Sequence, residues 1–107
     1  MTIRVALLLS LCLWSPALAG SFNNGNELHT RCSENGFAEG YCFGYIAGIS
    51  DVLSNAAIGD FNACQPKDVT VQQVVDVVKK YLKENPQDRH FTANSLVAYA
   101  LSEAFPC

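Results

Sequence analysis

The sequence predicts an all-α domain: a small bundle of about four helices stapled by disulfides. Three observations lead there. Apolar residues recur at three and four positions in several segments, which is the spacing of one helix face, and no segment of useful length alternates with period two as a half-buried strand does. The 107 residues include five cysteines, with no CxxC pair and only two distant histidines, His29 and His90, so zinc-ligand spacing is absent. Half of the chain is hydrophobic and 16% is charged, too apolar and too weakly charged for a disordered polymer.

Residues 1–19 read as a secretion signal. Arg4 supplies the positive start, 5–14 is nearly continuous apolar sequence, Pro16 breaks it, and Ala17-Leu18-Ala19 fits the small-x-small cleavage rule. An apolar run of about 10 residues falls short of the roughly 20 that span a bilayer, so no membrane anchor is expected. The working domain is then 20–107, enough for one small core that needs reinforcement. Export removes Cys12 and leaves Cys32, Cys42, Cys64 and Cys107. Four cysteines in an oxidising compartment imply two disulfides, in one of three pairings.

The first helix is short, about 26–33, with Leu28 as its apolar contact, and Asn35-Gly36 marks the turn after it. The second runs over about 39–57, where Cys42, Ile46, Ile49, Leu53 and Ala56 form the stripe. Gly40, Gly44 and Gly48 fall four apart on this helix; interior glycine costs about 0.5–1 kcal/mol against alanine, so a second helix packed close on that stripe is expected. The third starts at a capping box, Thr70 with Gln73, stapled by Val69 and Val74. Its stripe is Val71, Val74, Val75, Val78, Tyr81 and Leu82; Asp76 sits four before Lys80, Lys79, Lys80 and Lys83 form a solvated face near its end, and Asn85-Pro86 stops it. The fourth follows a Thr92 cap, with Ala93, Leu96, Val97, Ala100, Leu101 and Ala104 at helical spacing before Phe105-Pro106-Cys107.

Short loops make neighbouring helices antiparallel. The exit of the first helix and the start of the second then share one end of the bundle, which pairs Cys32 with Cys42. The exits of the second and fourth share the other end, which pairs Cys64 with Cys107.

Charge restricts the partners. Without the leader, six basic side chains face ten acidic ones. From 20 to 66 the one basic residue is Arg31, against Glu27, Glu34, Glu39, Asp51 and Asp60, whereas 67–107 is balanced. This disfavours nucleic acid and anionic membranes and suits a basic protein partner. No nucleophile motif adjoins either histidine, and Asp51 reads as a helix-surface carboxylate, so neither an enzyme nor a cofactor is expected.

A binding module remains, and its candidate organ is the loop 58–68. The contact set is Ile58, Asp60, Phe61, Asn62, Gln65, Lys67 and Asp68, in a segment too long and too apolar for a mere connector. Two conformations are open to Phe61: an exposed interface anchor, or a lid folded back onto the core beside Cys64.

Gly25-Asn26-Glu27-Leu28 with Cys32, then 42–51 (Cys-Phe-Gly-Tyr-Ile-Ala-Gly-Ile-Ser-Asp), then Cys64-Gln65-Pro66 leading to Val69-Thr70 and Gln73, then Tyr81-Leu82 with Pro86, and Ala100-Leu101 with Phe105-Pro106-Cys107, together resemble the Rap/Tai family over essentially all of 20–107. The resemblance implies a helical, disulfide-bonded, dimeric immunity protein. Such a protein resides in the periplasm and blocks the active-site cleft of a peptidoglycan amidase effector delivered by type VI secretion. By that likeness the loop enters the cleft, with Asp60, Phe61 and Asn62 at its tip. The competing functions for a small exported helical protein are a periplasmic chaperone, marked by client binding, and a carrier of small apolar ligands, marked by a lipid retained on purification.

Overall fold

The computed structural model describes residues 22–107; the expected leader at 1–19 lies outside the described residues. Four helices follow in order: α1 (Gly25–Cys32), α2 (Phe37–Leu53), α3 (Val71–Glu84) and α4 (Ala93–Ala104), with a 3₁₀ turn (Pro86–Asp88) between the last two. Among the described residues there is no strand, and no helix is long and apolar enough to cross a membrane.

Each start has a local cause. The Asn24 side chain accepts from the Glu27 N–H at 2.9 Å, capping α1. Both bonds of the capping box open α3: Gln73 N donates to Thr70 Oγ1 at 3.1 Å, and Thr70 N donates to Gln73 Oε1 at 2.7 Å. At α4 the Thr92 hydroxyl pairs with the Ser95 hydroxyl instead of a backbone N–H, so this cap is one of position only. Gly36, with φ 75°, turns the chain into α2.

The core is a single cluster to which all four helices contribute. Its largest fully buried side chains are Leu28 of α1, Ile46 of α2, Val78 and Leu82 of α3, and Val97 and Leu101 of α4, and each helix packs on the other three. Segment 23–26 is stitched by backbone bonds to the segment before α4: Gly25 N to Phe91 O and Asn26 N to Arg89 O at 2.9 Å, with Ala93 N returning to Asn23 O at 2.9 Å. Arg89 also donates from Nε to Leu82 O at 2.6 Å and from Nη2 to Lys83 O at 3.3 Å, satisfying carbonyls at the end of α3. The two disulfides are Cys32–Cys42 and Cys64–Cys107, the expected pairing, with Cα atoms 5.0 Å apart in each. Cys32 and Cys42 are buried, whereas Cys64 and Cys107 are exposed.

Several expectations are corrected. Helix α2 ends at Leu53, not near residue 57, because Asn55 N bonds to Val52 O at 3.0 Å rather than to Asp51 O, which its side-chain amide meets instead, and Ala56 is left exposed beyond the last turn. No helix packs on Gly40, Gly44 and Gly48: a Cβ added at any of them would meet nothing within 4 Å. Val71 is 44% exposed because helical side chains lean toward the N-terminus, so the first residue of α3 projects beyond the packed region. Ala104 is likewise exposed in the last turn of α4, while Ala98 is fully buried. Asp76 accepts from Gln72 Nε2 at 2.9 Å rather than pairing with Lys80.

The close approach sits instead at Gly25, where an added Cβ would lie 2.8 Å from Arg89 O and 2.9 Å from Arg89 Cα. Gly25→Ala is therefore expected to lower unfolding stability by about 2 kcal/mol, while Gly44→Ala, in open space, raises it by about 0.5–1 kcal/mol; urea unfolding of the two variants checks both signs. Cys64–Cys107 closes a span of 43 positions, so Cys64→Ala with Cys107→Ala should cost roughly 3–4 kcal/mol in the same measurement.

Candidate functional site

The loop after α2 divides into two parts with different neighbours. In the first, Ile58 and Phe61 exchange backbone bonds of 3.0 Å in both directions, making a tight turn. Gly59 occupies its first corner with φ 61°, a conformation side chains rarely adopt, and Asp60 follows it, exposed. Phe61 adopts the folded-back conformation. Its ring meets Tyr99 of α4 edge-on at 5.5 Å, and Tyr99 meets Tyr81 of α3 in the same manner, also at 5.5 Å. The chain then dives inward at the buried Ala63 and is tied to the C-terminus by the Cys64 disulfide and by Cys64 N to Phe105 O at 2.8 Å. Asp60 and Asn62, on either side of Phe61, stay exposed on a turn fixed at both flanks.

The second part belongs to a groove of about 380 Å³ between the end of α2 and the start of α3. Gln65 and Lys67 line it together with Ser50, Asp51, Val71 and Val74. Ser50, buried on α2, donates its hydroxyl to Gln65 Oε1 at 2.9 Å; the other end of that amide, Nε2, is buried without an acceptor. Lys67 and Asp68 form an exposed turn closed by Val69 N to Pro66 O at 3.2 Å. Ile58, Asp60, Phe61 and Asn62 are thus gathered over α4, Gln65 and Lys67 lie against α2 and α3, and Asp68 lines neither the groove nor the aromatic row.

Sequence reasoning missed the aromatic row that seats the loop. Tyr99 interrupts the apolar stripe of α4 next to the buried Ala98 and Ala100, which places its ring at the edge of the buried face; that was the available signal. Burial, then the 2.8 Å bond that Tyr81 donates to Asp88 Oδ2, push the Tyr81 phenol well above its usual value. The hydrogen bond with Glu103, then its charge, raise Tyr99. The histidines lie apart from the loop. His29 borders a groove with Lys79, Lys80 and Lys83, its pKa lowered by burial and by the charge of Arg89, and His90 stacks on Phe91 at 4.2 Å. Among the described residues no three His, Cys, Asp or Glu side chains gather where they could hold a metal ion.

Among the described residues this arrangement offers contact surfaces. A protein-family model described as Rap1a immunity proteins matches residues 24–107, from the cap of α1 to the last cysteine. No curated protein gives a significant match to the chain.

Both raised phenols keep their stabilising contribution whole at neutral pH and lose it as pH climbs through their folded values, above the unfolded value of about 10. Alkaline titration followed by ultraviolet absorbance is expected to show Tyr81 and Tyr99 ionising late. Asp88→Asn should bring Tyr81 only part of the way down, because burial remains, and Glu103→Gln should bring Tyr99 most of the way.

Proposed function

This chain belongs to the Rap1a immunity protein family, and we propose that it acts in the periplasm by occluding the active-site cleft of a peptidoglycan amidase delivered by type VI secretion. Members of the family are inhibitors, not enzymes, so the inhibitor needs shape and charge but no chemistry of its own. We assign the contact to the loop residues Ile58, Asp60, Phe61, Asn62, Gln65, Lys67 and Asp68, on a protein that works as a homodimer and protects the producing cell.

One observation carries this reading: the turn bearing Asp60 and Asn62 is clamped on one side by Phe61 against Tyr99 and on the other by the Cys64–Cys107 disulfide. A segment ordered before binding loses little conformational entropy on entering a cleft, and tight inhibitors depend on that saving. Phe61 then serves as the seat of the turn, and the exposed polar residues beside it meet the enzyme. The unneutralised carboxylates of 22–66 favour a basic rim around that cleft.

Sending candidate peptidoglycan amidases, including any encoded beside this chain, to the periplasm of a test cell, with and without the protein, checks the proposal. Survival that requires the leader, together with a stable complex on size exclusion, is expected; lysis despite full periplasmic expression sinks it. Asp60→Ala with Asn62→Ala, both at exposed positions, should weaken the complex more than tenfold without shifting thermal unfolding. Unchanged affinity removes the loop from the mechanism.

A further inference from the structure

The corner where α1 hands over to α2 carries a second surface of a different kind. An open groove of about 470 Å³ lies there, lined by Asn26, Glu27, Thr30, Arg31, Glu34 and Phe37. Phe37 is 86% exposed at the first position of α2, directed by the helix that begins there. A polar residue would serve equally well at that position, and the ring makes no contribution to the core cluster. Arg31 lies four residues after Glu27 on α1, within reach of it by spacing, yet its guanidinium stacks over the Tyr41 ring at 4.1 Å. Neither glutamate has an ion-pair partner among the described residues. The corner therefore joins Phe, Tyr and Arg, residue types that concentrate at interface centres, with a rim of free carboxylates.

We propose that this corner docks a basic patch of a protein partner, in which an apolar pocket receives the Phe37 ring between Lys or Arg side chains facing Glu27 and Glu34. The inference rests on the reading that the protein inhibits a secreted effector, and it assigns that effector a second contact. Charge selects the occupant. Glu27, Glu34, Glu39, Asp51 and Asp60 are all exposed, against Arg31 alone over 22–66. A second copy related by a two-fold axis would gather four carboxylates, Glu27 and Glu34 of each protomer, around only two Arg31 side chains and so leave net negative charge in the contact, and anionic membranes and nucleic acids are repelled by the same carboxylates. The corner and the clamped loop stand at opposite ends of α2, about 25 Å apart along its 17 residues. At that distance, substitutions at the two places act independently.

The test is a competition between sister cells. A strain lacking the gene carries the wild type or a variant and is grown against its parent, with periplasmic abundance and thermal unfolding of each protein as controls. Phe37→Ala, and Glu27→Lys combined with Glu34→Lys, are expected to accumulate and unfold as the wild type does while survival falls at least tenfold; Phe37→Leu, which keeps an apolar side chain, retains most of it. The purified amidase that the wild type neutralises should bind the first two variants at least tenfold more weakly, with a shallower salt dependence for the charge reversal. Multiplying the Phe37→Ala effect by that of Asp60→Ala with Asn62→Ala should reproduce the triple variant. Full protection by both corner variants overturns the second surface and leaves the immunity reading standing. A deletion strain that its parent does not kill overturns the immunity reading, and the corner proposal with it. If Phe37→Ala turns a dimer into a monomer in sedimentation, the corner belongs to a second copy and the basic partner is ruled out.

Discussion

The backbone seam between 23–26 and 89–93 is the constraint on which the rest of the structure depends. Helix α1 has eight residues, too few to persist in water by its own hydrogen bonds. What holds it is contact: Leu28 in the core, and the backbone bonds that lay its first turn on Arg89 and Phe91. Arg89 works in two directions there. Its carbonyl accepts from Asn26 while its guanidinium closes the end of α3, so one residue joins the start of the first helix to the end of the third just ahead of the fourth. The seam demands that two backbones nearly touch, and Gly25 is what allows it.

With the helices so held, the disulfides take complementary roles. Cys32–Cys42 is buried and joins α1 to α2 at the end where both face the core. Cys64–Cys107 is exposed and fastens the two segments with least helical support, the long loop and the C-terminus. The aromatic row Phe61–Tyr99–Tyr81 completes that fastening by seating the loop on α3 and α4. The loop proposed to meet the effector is consequently anchored on both flanks, which suits an inhibitor that must resist being pushed out of a cleft.

Much of this was legible in the residues. Local rules decide caps and stops, and the Thr70 start and the Asn85-Pro86 stop sit where short-range chemistry puts them. The order of helices and connections favours the disulfide pairing that the structure shows, because it suggests which ends meet. Other features were misread because they depend on what is absent. Gly40, Gly44 and Gly48 suggest a close neighbour, but whether one arrives is a property of the whole packing, and in this chain the stripe is open. The sequence overstates the length of α2 because Ala56 and Ala57 favour helix, while Asn55 turns its backbone N–H to Val52 O and covers Asp51 O with its own side-chain amide.

The sequence by itself determined the helical class and the four segments, since these rest on periodicity and on contacts near in the chain, and it favoured the disulfide pairing that the structure shows. Only the tertiary structure decided which glycine is sterically required, which way Phe61 turns, how the loop residues divide between α4 and the α2–α3 groove, and that Phe37 stands exposed among unpaired glutamates. These depend on surfaces brought together from positions far apart in the chain. Their energies arise from close packing and from the loss or retention of solvent at each site, and neither exists until the helices have met.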